Sequence, residues 1–138
     1  MRILALDVGD KTIGVAVSDE LKLTAQGVEV IRRAGIKKDF TRLRTLIEQF
    51  EIRLIIIGLP KNMNGTVGPQ GELVEQFAEQ LSAFVPQINI RLWDERLSTI
   101  AAEKSLIAAD VSRAKRRQVI DKMAAVFILQ GYLDSLSK

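Results

Sequence analysis

The sequence predicts an α/β fold: a mixed five-stranded sheet with helices on both faces, in a single domain over residues 1–138. Three observations predict it. Three strand-like runs come first, joined by short connections. From about residue 37 the apolar residues change to helical spacing and alternate with further short strand-like runs, as α/β crossovers do. The end of the chain then reads as helix.

Ile3-Leu4-Ala5-Leu6-Asp7-Val8 is nearly continuous apolar, the mark of a central strand buried on both faces. Gly9-Asp10-Lys11-Thr12 reads as a turn, and Ile13-Gly14-Val15-Ala16-Val17 as a second strand antiparallel to the first. Leu23 to Ile31 alternates loosely and gives a third strand, with Gly27 a candidate bulge. Phe40, Leu43, Ile47 and Phe50 place an amphipathic helix over Lys37 to Glu51. Leu54 to Gly58 is a short buried strand. After the loop from Gly58 to Gly71, Pro69 suits the first helical position, and Val74, Phe77, Leu81 and Phe84 form an apolar stripe up to Pro86. Ile88, Ile90 and Leu92 alternate with Asn89 and Arg91, a strand buried on one side near the sheet edge. Helices over about Ser98 to Ala109 and Arg113 to Leu136 complete the order β-β-β-α-β-α-β-α-α, with Ser112 as cap of the last.

Composition removes several chemistries. The chain has no cysteine, so neither a disulfide nor a thiolate metal site can form. It has no histidine, which removes imidazole bases and histidine zinc ligation. A bound metal would take mainly oxygen ligands from side chains, which favours hard cations such as Mg²⁺ or Mn²⁺. A net charge of +3 suits a polyanionic partner without requiring one. No apolar run is long enough to span a bilayer and the first residues are not secretory, so no membrane partner and a cytoplasmic location are expected.

Asp7 sits inside an otherwise apolar central strand. A buried carboxylate is costly unless paired, protonated or metal-bound. It is a candidate site residue, although a strand-end acid accepting turn N–H groups is the plainer alternative. Asp94-Glu95-Arg96 follows the last strand, where open α/β sheets hold ligands. Alternation sends the two acids to opposite sides, one toward a site and the other free to pair with Arg96, without saying which. Asp121 lies close to the apolar face of the last helix, beside small Ala124 and Ala125 that let the helix approach the sheet. It could reach Asp7, or equally pair with Arg117. Three carboxylates converging at one sheet end can bind divalent cations that activate water and stabilise a phosphodiester's leaving oxygen.

The loop Gly58 to Gly71 ends at a helix N-terminus, where backbone N–H groups favour phosphate; Lys61 and Thr66 could assist. An ordinary crossover connection is the alternative. Arg113, Lys115, Arg116 and Arg117 crowd the start of the last helix, where the dipole disfavours cations. A nucleic-acid backbone would account for them, as would plain solvation.

Four segments together resemble the YqgF/RuvX family of Holliday-junction-resolvase-like proteins. They are Asp7-Val8-Gly9-Asp10-Lys11-Thr12-Ile13-Gly14 through Asp19; Gly58-Leu59-Pro60 through Asn64-Gly65-Thr66 to Gly68-Pro69-Gln70; Asp94-Glu95-Arg96-Leu97-Ser98-Thr99; and Asp121-Lys122-Met123-Ala124-Ala125 with Ile128-Leu129. They run in the family's order along essentially the whole chain. The resemblance implies an RNase H-like fold and places the family's three acidic positions on Asp7, Glu95 and Asp121, choosing Glu95 over Asp94. It implies a Mg²⁺- or Mn²⁺-dependent endonuclease with one of two roles, trimming the 5′ end of precursor 16S rRNA or resolving four-way DNA junctions. The family usually carries Arg after the first motif's lysine, where this chain has Thr12.

The expected activity is therefore nucleic-acid hydrolysis by metal-activated water. Asp7, Glu95 and Asp121 serve as catalytic residues and metal ligands. Lys11, Lys61, Thr66, Arg96, Arg113, Arg116 and Arg117 serve as nucleic-acid contacts. Partners would be precursor rRNA or branched DNA, and a junction-cutting enzyme would act as a symmetric homodimer. Two readings of other classes compete. One is a non-catalytic nucleic-acid-binding module on the same fold. The other is a nucleotide-binding domain, since Asp7-Val8-Gly9 with Gly14 also resembles the phosphate motif of actin-like ATPases and sugar kinases; those use two such domains, and this chain has room for one.

Overall fold

The computed structural model describes residues 1–96 and 113–136, the side chains of 113–122 excepted. In chain order the elements are β1 (Arg2–Val8), β2 (Thr12–Ser18), β3 (Ala25–Arg32), α1 (Ile36–Gln49), β4 (Ile52–Leu59), α2 (Pro69–Phe84), β5 (Asn89–Asp94) and α3 (Arg113–Leu136). The helix expected over about 98–109 and the cap at Ser112 lie outside the described residues.

The strands form one five-stranded sheet in the order β3-β2-β1-β4-β5. β1, β2 and β3 are an antiparallel meander, and β4 and β5 add in parallel through helical crossovers. This is the mixed sheet of an RNase H-like α/β fold. Strand β1 is central, as its unbroken apolar run requires: Leu4, Ala5 and Leu6 are fully buried.

Alternation divides β1 between two cores. Leu4, Leu6 and Val8 pack with Phe40, Leu43 and Ile47 of α1 and Val74, Phe77 and Leu81 of α2. Phe40 meets Phe77 edge-on at 5.2 Å between ring centroids, a favourable aromatic geometry. Ile3 and Ala5, with Ala16 and Ile56, pack under Ala125, Ile128, Leu129, Tyr132 and Leu133 of α3. Asp7 follows Ile3 and Ala5 in the period of two, so it belongs to the α3 face. Among the described residues no helix is long and apolar enough to cross a membrane.

Several details of the elements differ from the sequence reading. Strand β3 begins at Ala25, not Leu23, because the Leu23 and Thr24 amides bond the Asp19 carboxylate in a turn. Its extra residue is Val28: Val15 pairs with Glu29 while Ala16 pairs with Gly27. Helix α1 stops at Gln49, and Glu51 then adopts a left-handed φ of 55° on the way into β4. Strand β5 is an edge strand, as expected, but is not buried on one side only. Leu92 is exposed, while Trp93 on the other face packs edge-on against Tyr132 of α3.

Candidate active site

The carboxyl ends of β1, β4 and β5 bring two of the expected acids together. Asp7 pairs across the sheet with Gly14 of β2, and the next strand on its other side is β4. Strand β5 is prolonged by one residue, since the Glu95 amide donates to the Leu59 carbonyl at 3.1 Å. That bond extends the alternation past Asp94. With Trp93 on the α3 face, Glu95 returns to that face and Asp94 turns to the other.

Between Asp7 and Glu95 runs Gly58 on β4. A methyl group there would lie 3.4 Å from Glu95 Oε2 and 2.5 Å from the Ile128 Cδ1 of α3. The missing side chain thus leaves room for both the Glu95 carboxylate and the close approach of the helix. On the other side Gly14 lies against the same helix, where a methyl would make ordinary contacts, 3.6 Å from Asp7 Cβ and 3.7 Å from Ala125 Cβ. Ala125 is buried, as expected from the small residues of that helix. Gly58 did not stand out in the sequence as a packing residue, since its partner Ile128 is remote in the chain.

The electrostatics separate the two adjacent acids. Burial, reinforced by the charge of Asp7, pushes the Glu95 carboxyl up to about 7. The Arg96 guanidinium holds the Asp94 carboxyl below its ordinary value. Arg96 grips Asp94 through two nitrogens, Nε to Oδ1 at 3.1 Å and Nη2 to Oδ2 at 2.7 Å. Its remaining Nη1 donates to the carbonyls of Asn62 and Met63. Arg96 therefore straps the loop after β4 to the end of β5. The phosphate contact expected of it meets a guanidinium whose three nitrogens each already donate to Asp94 or the loop.

Thr66 is likewise engaged, within its own loop. Its hydroxyl donates to Asn64 Oδ1 at 2.6 Å and accepts from Asn62 Nδ2 at 2.9 Å, fastening the loop to itself. Lys61 is half-buried at the start of this loop, close enough to help lower the Asp94 carboxyl. Lys11 is exposed in the β1–β2 turn. The side chains of Asp121, Arg113, Arg116 and Arg117 lie outside the described residues. The helix backbone at 121 is described: it stands one turn before Ala125, the residue that meets the Asp7–Gly14 pair.

The donors on this face are carboxylate oxygens, which suit a hard divalent cation. Asp7 and Glu95 supply two, and no group of three potential ligands occurs among the described residues. Glu95, held near 7 by burial beside a second acid, is the kind of strained carboxylate that a cation would relieve.

The family model described as "RuvX: Holliday junction resolvase" matches residues 1–135. A protein of Desulforamulus reducens is 62% identical over 138 residues, the whole of both chains. One of Clostridioides difficile is 62% identical over 133 residues, 96% of this chain and 94% of its own. Both carry the name "Putative pre-16S rRNA nuclease". Among solved structures, Thermus thermophilus RuvC bound to a Holliday junction superposes with a TM-score of 0.60 at 13% identity, covering 99% of this chain and 96% of that one. The fowlpox virus Holliday junction resolvase gives 0.53 at 16% identity, with 99% of each chain covered. At such identity these two speak for the fold alone. A match along nearly the whole chain, with relatives of equal length at this identity, leaves one conclusion: the chain belongs to the RuvX family.

Proposed function

We propose that the chain is a metal-dependent endonuclease whose substrate is precursor 16S rRNA, cut toward the 5′ end of the mature sequence. The observation that carries this reading is the meeting of Asp7 and Glu95 on one sheet face, over Gly58, with the backbone of residue 121 one helical turn from Ala125. The choice of RNA rests on the names of the full-length relatives.

Asp7, Glu95 and Asp121 would hold Mg²⁺ or Mn²⁺, which supplies an activated water and stabilises the leaving oxygen. The chain's own part is positional. Gly58 lets α3 lie close to the sheet. The Asp94–Arg96 pair fixes the end of β5 and hence the direction of Glu95. Lys11 and Lys61 flank the acids on either side as phosphate contacts, with Arg113, Arg116 and Arg117 at the start of α3.

The test is cleavage of a precursor 16S rRNA fragment and of a four-way DNA junction, in Mg²⁺ or Mn²⁺ against EDTA. Metal-dependent cutting of the RNA, abolished by Asp7→Asn and Glu95→Gln, is expected. Asp7→Asn that cuts as well as the parent rejects the assignment. The description of the matching family favours a second reading, junction resolution. It predicts preferential cutting of the junction by a symmetric dimer, which sedimentation would reveal. Salt-sensitive binding with no cutting of either substrate would instead mark a non-catalytic module.

A further inference from the structure

We propose that the nucleic-acid backbone leaves the acidic site over the β1–β2 turn and the β3 edge, held there by Arg32 together with Lys11. The inference rests on the nuclease reading and adds to it a contact residue and a path for the substrate strand.

Arg32 ends strand β3 and pairs with Thr12 of β2, while Ile31 pairs with Ile13. Ile13 and Ile31 are buried in the core beneath α1 and α2. Period-two alternation therefore puts Thr12 and Arg32 on the opposite face, shared with Asp7 and Gly14. Arg32 lies two strand spacings from β1 and one two-residue repeat beyond Asp7. At roughly 5 Å per strand and 3.4 Å per residue, that separates the two backbones by about 12 Å. A nucleic-acid strand carries one phosphate per ~3.4 Å of helix axis, so a strand at the acids brings further phosphates within reach of Arg32.

The groove at this corner is lined by Asp10, Lys11, Thr12, Val30, Arg32 and Arg33. Arg33 is spent internally, donating to the Gly9 carbonyl at 2.8 Å and lying 3.5 Å from the buried Asp39 carboxylate. Arg32 and Lys11 are both exposed, and neither is among the described ion pairs. Asp10 offsets one of these charges and leaves the groove net positive. On the other flank of the acids Arg96 and Thr66 have committed donors to the loop, which leaves Lys61 as the cation there. The β1–β2 corner thus offers two exposed cations, against the half-buried Lys61 on the other flank.

The test is the salt dependence of binding, read by fluorescence anisotropy with a labelled precursor 16S rRNA fragment and the whole chain in EDTA. Arg32→Ala should weaken binding about three- to tenfold at 100 mM salt and lower the slope of log K against log salt by about 0.7–0.9. Arg32→Lys should keep most of the binding, and Arg32→Glu should lose more than Arg32→Ala. Arg53→Ala removes an equal, exposed charge at the far end of the sheet and should change neither quantity. Thermal melts of the variants guard against misfolding at this exposed position. An unchanged slope in both Arg32→Ala and Arg32→Glu overturns the inference, as does an equal effect of Arg53→Ala. If the parent still shows metal-dependent cutting in either case, the nuclease reading stands; a parent that neither binds nor cuts removes both.

Discussion

Asp7 of β1 and Glu95 after β5 face each other across Gly58, and the charge of one raises the proton affinity of the other. Glu95 titrates near 7 in the folded chain against an ordinary 4.5, so the folded state binds this proton more tightly than the unfolded state. The resulting stability is fully present below about pH 4.5 and is lost as pH rises through about 7. Allowing for solvent screening of a partly exposed group, the loss is about 1–2 kcal/mol. The metal-free chain should therefore melt a few degrees lower at pH 8 than at pH 5, and Glu95→Gln should remove much of that difference. Mg²⁺ or Mn²⁺ should restore stability chiefly at the higher pH, where it need not displace the proton. A melting temperature equally pH-dependent in parent and Glu95→Gln would show that this carboxyl is not the strained one.

Gly58 permits the contact between sheet and helix on which the site depends. Gly58→Ala places a carbon 2.5 Å from Ile128 Cδ1 and 3.3 Å from its Cγ1, so the isoleucine must turn or the helix must lift. The expected cost is about 1–3 kcal/mol, as for other overpacked cores. Ile128→Val, which removes the nearest atom, should cost about 1 kcal/mol alone yet recover part of the loss in the Gly58→Ala background. Denaturant unfolding of the four chains measures this coupling. Strictly additive losses would mean that the two residues do not collide.

Much of this could be read from the chain, and the gaps have physical causes. β1 follows from its unbroken apolar run, which is buried on both faces, and α2 from an apolar stripe opened by Pro69. The choice between Asp94 and Glu95 could not be made from alternation, which fixes their opposition but not the phase. The phase is set by the Glu95 amide bonding Leu59 on a neighbouring strand. The packing role of Gly58 escaped for the same reason, since Ile128 meets it only in three dimensions. Arg96 was a candidate both for pairing with an acid and for holding phosphate, and its bonds to Asp94 and the loop carbonyls satisfy the first.

The end of α1 shows how a local signal can mislead. The apolar spacing continues through Phe50, and no glycine announces a stop. The chain nevertheless leaves the helix at Phe50 and passes through Glu51 in left-handed geometry, φ 55°. A residue with a β-carbon pays about 1–2 kcal/mol there, which glycine avoids at some entropic cost in the unfolded chain. Glu51→Gly should therefore raise stability by about 0.5–1 kcal/mol, and Glu51→Ala should not. Equal melting temperatures for the two variants would argue against the left-handed turn.

Arg96 offers the sharpest separation between a binding role and a fastening one. It joins Asp94 at the end of β5 to the carbonyls of Asn62 and Met63, and so ties down the loop that Asn62, Asn64 and Thr66 brace from within. Arg96→Ala leaves Asp94 without its partner and those carbonyls without a donor. The expected result is faster proteolysis within the loop between Leu59 and Pro69, with a stability loss of about 1–2 kcal/mol. Arg96→Lys should restore little, because an ammonium cannot span the carboxylate and two carbonyls in one plane. The salt slope of RNA binding should stay near the parent's, since no phosphate contact is removed. A slope lowered by about one with the loop still protected would return Arg96 to the substrate.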